Sequence, residues 1–235
     1  MIQTLLNKKL NLYFKMDIIY IGSGQSAKLI HSIDKKKYTI ICANNAWRLF
    51  DGNELFDYWI HPVDFPRENF PSKINFKNEI SYLEYESTIK DLINNKLDLN
   101  QKSPFHYVGY TTFFQGLYWI FGALKPSNVY LLGFDHDYNK DKTKKWLENN
   151  KPSPQNNFLK DQNETIEEWS KRFFQDFDED FFYGHGTPDP LRLGEDYLIE
   201  KFNLALEISK KLGINVYNAS KKESKINKFP KIILQ

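Results

Sequence analysis

Cysteine is nearly absent from this chain: Cys42 is the only one in 235 residues. That excludes an intramolecular disulfide and a multi-cysteine zinc site, and makes a reducing cytoplasm the simplest compartment. Charge of one sign is lacking too. With 32 basic and 30 acidic residues the net charge is +2, without the basic excess of a nucleic-acid binder. No run approaches the roughly 18–20 apolar residues needed to cross a bilayer. Met1 to Lys15 has no apolar core adequate for a signal peptide. Neither a Walker Gly-Lys-Ser nor a Gly-x-Ser-x-Gly elbow occurs, so P-loop and serine-hydrolase readings lack support.

What is present is enough apolar sequence, 41%, for one substantial core or one core plus a lid. Residues 18–21 are β-branched or aromatic and stop at Gly22, which predicts a first strand with a helix behind it over Ser26 to Ser32. Tyr38 to Ala43 predicts a second strand ending at Asn44-Asn45, and Phe56 to Ile60 a third ending at His61-Pro62. This alternation predicts an α/β fold with a parallel sheet. Asp64 to Lys102 is polar, with a helix plausible across Glu84 to Ile93. The apolar stretch Thr112 to Leu124 reads as a buried helix ahead of a strand at Val129 to Leu132. Glu195 to Leu212 has helical spacing with Gly213 as its stop, and Ile214 to Tyr217 follows as a strand.

Residues 1–16 read as an N-terminal extension, 17–230 as one domain, and 231–235 as a tail. Within the domain, 136–186 is polar but rich in aromatics, among them Trp146, Trp169, Phe173 and Phe181. It reads either as a lid that binds an acceptor or as a small helical excursion packed on the sheet. The Lys-and-apolar tail reads as a solvated terminus, with contact to an anionic membrane surface as the alternative.

Two strand ends carry the chemistry. Gly22-Ser23-Gly24-Gln25-Ser26 has the glycines that let backbone approach a phosphate at a helix N-terminus. An NAD enzyme wants a carboxylate at the end of strand two; Asn44 stands there instead, an amide able to meet ribose, base or phosphate without negative charge. Thr111 and Thr112 would cap the buried helix and leave its first amides to an anion. Gly133 and Asp135 close the Asn128–Leu132 strand, where a carboxylate meets a ribose or a metal. Asp137 makes an Asp-x-Asp pair with Asp135 that holds a divalent cation in many nucleotide-sugar transferases. Of five His residues, His61 would line the crevice, and His185, between Gly184 and Gly186, is the candidate base. An imidazole is suited to taking a proton from a sugar hydroxyl near neutral pH.

Taken together, Ile21 to Ile30, Asn44, Tyr130 to Asp135 and Tyr183 to His185 resemble the family-42 bacterial sialyltransferases. These modify lipooligosaccharides using CMP-sialic acid. The resemblance implies a single Rossmann-like domain with a flexible lid and metal-independent inverting transfer, so that no residue is assigned to a metal. By position, His185 would be the general base and Tyr138 the tyrosine on the leaving phosphate. Gly22, Gly24, Ser26, Asn44, Thr112, Gly133, Phe134 and Asp135 would hold the nucleotide. Partners would then be a nucleotide sugar and a glycan acceptor, with homo-oligomers known in the family. Two departures stand out. His61 occupies the place of a family Asn, and Tyr107 or Tyr110 stands where the family has a basic residue. The stretch Val216 to Ser220, leading to Phe229, is also similar to a wider group. That group is related to flagellin-glycosylation factors and includes archaeal pterin pyrophosphokinases. It keeps open a Mg-dependent pyrophosphoryl transfer through Asp135 and Asp137, or a non-catalytic nucleotide-binding relative.

Overall fold

A computed structural model describes residues 16–50, 54–62, 65, 67, 70, 71, 75–93, 104–134, 195–220 and 228–234. The strands are β1 (Asp17–Ile21), β2 (Thr39–Ala43), β3 (Phe56–Ile60), β4 (Phe76–Ile80), β5 (Asn128–Leu132) and β6 (Asn215–Asn218). The α-helices are α1 (Tyr82–Ile93), α2 (Pro104–Val108), α3 (Thr112–Trp119) and α4 (Glu195–Leu212). Short 3-10 helices, Gln25–Ser32 and Asn44–Leu49, follow β1 and β2.

All neighbouring strands are parallel, in the order β4-β3-β2-β1-β5-β6. The expected α/β fold with a parallel sheet is therefore present. β1 sits at its centre because it is apolar on both sides. Ile18 and Tyr20 enter one core with α1, α3 and α4, while Ile19 and Ile21 enter the other with the two 3-10 helices. Strands covered on both faces lose the polar alternation of a half-exposed sheet, which is why Ile-Ile-Tyr-Ile was readable as a central strand.

The chain steps outward from β1 to β4 with its connections on one face. It then crosses back to β5 and β6 with α1, α3 and α4 on the other. Right-handed crossovers running in opposite directions require this exchange of faces. The order reverses between β1 and β5, and open α/β sheets place a ligand crevice outside the carboxyl ends of their strands at such a point.

Four details differ from the sequence expectation. The segment after β1 is a 3-10 helix and not an α-helix. β4 falls within the stretch read as merely polar; Lys77, Asn78 and Glu79 are exposed because β4 is the sheet edge, where charge also blocks pairing with another chain. The apolar helix is α only to Trp119, then widens to a π-turn over Ile120–Leu124 that closes on Lys125 in a left-handed conformation. The tail is not free. Asn218 N–H donates to the Pro230 carbonyl (2.9 Å) and Ile232 N–H to the Asn218 carbonyl (3.0 Å), so the segment runs along β6. Phe229 is buried and Ile232 and Leu234 pack on the second core. Among the described apolar residues that the tail would offer to a membrane, Ile233 is largely exposed (83%). Among the described residues no helix is long and apolar enough to cross a membrane.

Candidate functional site

The carboxyl ends of β1 and β5 meet without side chains between them. A Cβ on Gly22 would lie 2.6 Å from the Phe134 ring and 2.7 Å from the Gly133 carbonyl oxygen. Gly133 has φ +69, and a Cβ there would stand 2.5 Å from Ala27 Cβ and 2.7 Å from the Gly22 carbonyl oxygen. The two glycines are thus required by each other. Their contact is sealed by backbone: Gly22 N–H donates to Leu132 O (2.8 Å) and Gly24 N–H to Gly133 O (2.7 Å). The Gly22 and Gly24 amides are thus engaged at the end of β5 and just beyond it. The glycines therefore make the turn tight, and an anion at this point would be met by other donors.

Around this joint the structure gathers most of the nominated residues that it describes. Ser26 is buried in the first turn of the following 3-10 helix. Asn44, at the end of β2, takes a left-handed conformation (φ 50), which Asn tolerates better than other residues with side chains. Its carbonyl accepts from Trp59 Nε1 (2.9 Å), while its Oδ1 is buried with no partner among the described residues. A strained residue with an unmet acceptor at a strand end is the kind of feature that clusters at binding sites.

Across the crevice Thr111 caps α3, its Oγ1 accepting from Phe114 N–H at 3.4 Å. Thr112, next in line, is half-buried. Tyr20, from the middle of β1, donates its hydroxyl to the Thr112 carbonyl at 2.9 Å. Of the two residues standing in for a basic one, Tyr110 is exposed ahead of α3, and Tyr107 is half-buried on α2.

His61 ends β3 at the crevice rim with both ring nitrogens engaged. Nδ1 is 3.0 Å from the Pro62 carbonyl and Nε2 is 3.0 Å from Glu79 Oε1. Its ring packs on Trp59 (4.3 Å between centroids) and against Phe70 (4.9 Å) and Phe65 (5.8 Å). A ring so held shapes the rim and has no nitrogen turned to a substrate. Asn218 likewise serves the fold: its Oδ1 accepts from Ser220 N–H (3.0 Å) in a tight Asx turn, consistent with a strand-end feature and not a glycan attachment point.

Asp135, Asp137, Tyr138 and His185 lie outside the described residues, as does the 136–186 insertion. Among the described residues no group of three or more His, Cys, Asp or Glu is placed to hold a metal ion. Tyr20 was missed by sequence reasoning. Its signal was a polar-tipped ring among the aliphatic Ile18, Ile19 and Ile21 of the strand.

The class defined by this geometry is, among the described residues, an all-parallel six-stranded α/β protein whose strand order reverses between β1 and β5. Comparison of the chain with protein-family models, with curated proteins and with solved structures found no match in any of the three.

Proposed function

We propose that this protein is a Rossmann-like, sialyltransferase-like glycosyltransferase that works in the cytoplasm. It would move a sugar from a CMP-activated donor to a glycan acceptor hydroxyl. One observation supports the reading: Gly22–Gly24, Asn44 and Gly133–Phe134 follow the carboxyl ends of the neighbouring strands β1, β2 and β5, and the start of α3 is tied to β1 through the Tyr20 hydroxyl. These are the residues that the resemblance nominates for the nucleotide, and a doubly wound sheet binds ligands at this place.

In the proposed reaction His185 takes the proton of the acceptor hydroxyl. The acceptor oxygen bonds to the anomeric carbon as the bond from that carbon to the donor's phosphate oxygen breaks. CMP departs carrying the electron pair. Tyr138 and the first turn of α3 stabilise the charge growing on the phosphate. With the Gly22 and Gly24 amides engaged by β5, that stabilisation falls more heavily on these other donors. The polar, aromatic 136–186 insertion is the part assigned to the glycan acceptor.

The test is a thermal-shift panel of CMP, UDP, GDP, ATP with Mg²⁺, NAD and S-adenosylmethionine. Ligand at about 100 times its Kd stabilises by about 2.7 kcal/mol, a shift of about 5–11 °C for a chain of this size. A shift with CMP alone, insensitive to EDTA, is the expected result. A shift only with ATP and Mg²⁺ would replace this reading by pyrophosphoryl transfer, and no shift at all by a non-catalytic protein. If CMP binds, His185→Ala is expected to abolish transfer while leaving CMP affinity within about twofold; normal turnover would remove His185 as the base.

A further inference from the structure

We propose that Tyr20 is a positioning residue: its hydroxyl fixes the first turn of α3 against the β1–β5 joint and so sets the spacing of the nucleotide crevice. The inference rests on the nucleotide reading above for what the crevice binds, but its geometry stands separately. Tyr20 is fully buried in the central strand, where an unpaired hydroxyl is costly. It meets its need 92 residues away, at the Thr112 carbonyl (2.9 Å). Burial, reinforced by Tyr85, pushes its phenol well above the ordinary tyrosine value, so the hydroxyl stays a donor.

The rest of the site is fitted to this reach. A Cβ on Gly116 would collide with the Tyr20 hydroxyl, so α3 carries glycine at a buried interior position where Ala favours a helix by about 1 kcal/mol. That concession makes sense if the space is for the hydroxyl. The Tyr20 ring also lies on Phe134 (4.6 Å, tilted 49°) and stacks with Phe113 (6.3 Å, 20°). Phe134 in turn covers Gly22. One side chain thereby links the Gly22 turn, through Phe134, to the start of α3.

Tyr20→Phe keeps the ring and removes only the hydroxyl. The expected result is a cooperative melt, faster amide hydrogen exchange confined to the first turn of α3, and CMP binding weakened about tenfold by calorimetry. In turnover the loss should fall on KM for the donor, with kcat within about threefold. Gly116→Ala, which displaces the hydroxyl without deleting it, should reproduce the exchange and affinity changes and stands in if Tyr20→Phe folds poorly. If wild type binds CMP and both variants bind it equally well, Tyr20 is structural only and the proposal is overturned. If wild type binds no nucleotide, the functional reading fails, and the exchange experiment then decides alone: an unchanged α3 first turn overturns the positioning role as well.

Discussion

Gly133 and Gly213 offer a controlled pair for testing the tightness of the β1–β5 joint. Both have positive φ, +69 and +70, so alanine at either meets the same left-handed strain, about 1–2 kcal/mol. Both substitutions also stiffen the unfolded chain equally, a gain that cancels in the comparison. They differ in space. Nothing lies within 4 Å of a Cβ on Gly213, at the end of α4, whereas on Gly133 it meets Ala27 Cβ at 2.5 Å and the Gly22 carbonyl oxygen at 2.7 Å. The oxygen is backbone and the methyl has no rotamer to turn to, so neither neighbour can swing aside; β1 and β5 must part. Overpacking of this kind costs about 1–3 kcal/mol beyond the strain. Gly133→Ala should therefore unfold about 3–10 °C below Gly213→Ala. Urea titration followed by circular dichroism gives the difference directly, provided the slope with denaturant is unchanged. Adding Ala27→Gly to Gly133→Ala should recover part of the deficit as a coupling energy. Equal midpoints for the two single variants would refute the claim that the glycines are required by contact.

Two further outcomes are expected. Burial, with Asp57 as a lesser influence, pushes the Cys42 thiol well up, so at pH 8 an aromatic disulfide reagent should leave it untouched in the native protein and react once per chain in denaturant; native reactivity would contradict its place in the core. Burial first, then Asp17, raises the Tyr130 phenol to about 12 from 10.0. A raised acid favours the neutral form in the folded state, so its stabilising share is whole below pH 10 and fades between pH 10 and about 12. Tyr130→Phe should consequently lose less stability than wild type between pH 9 and pH 11.5, and identical pH profiles by urea titration would refute the assignment.

The parts of the fold that were legible in the sequence are those where one local rule dominates. Ile18 to Ile21 are buried on both faces, Val129 to Leu132 nearly so with Tyr130 half-buried, and each run stops at a glycine. Hydrophobic continuity and punctuation then agree. α4 was legible because Leu198, Phe202, Ala205 and Ile208 bury one face while Gly213 ends it in the left-handed region. β4 was not legible, since an edge strand carrying Lys77, Asn78 and Glu79 looks like a loop. The tail was misjudged because its burial depends on a free edge of β6, which no local pattern announces. Similarly, α3 and its π-turn share one apolar stretch; the change of pitch comes with close packing at Gly122, where a Cβ would lie 2.7 Å from Thr88 of α1. For the candidate site, the sequence nominated the glycines, Asn44 and Thr112 together, but the engagement of the Gly22 and Gly24 amides by Leu132 and Gly133 was not legible. Whether an N–H faces a ligand or a neighbouring strand is decided by β5, whose register with β1 is a long-range fact.

That register also orders events in time. Among the described strands β1 is the first to be synthesised, yet one flank is completed only by β5, with Asp17 opposite Asn128, 111 positions further along the chain. At about 5–20 residues per second, the ribosome needs about 5–20 s to supply that partner. During that interval a strand of Ile and Tyr has β2 on one side and an unsatisfied backbone edge on the other. Among the described strands β1 is thus the one that must wait longest for a neighbour, and a nascent chain stalled before Asn128 would present that edge to whatever chaperone or neighbouring chain arrives first.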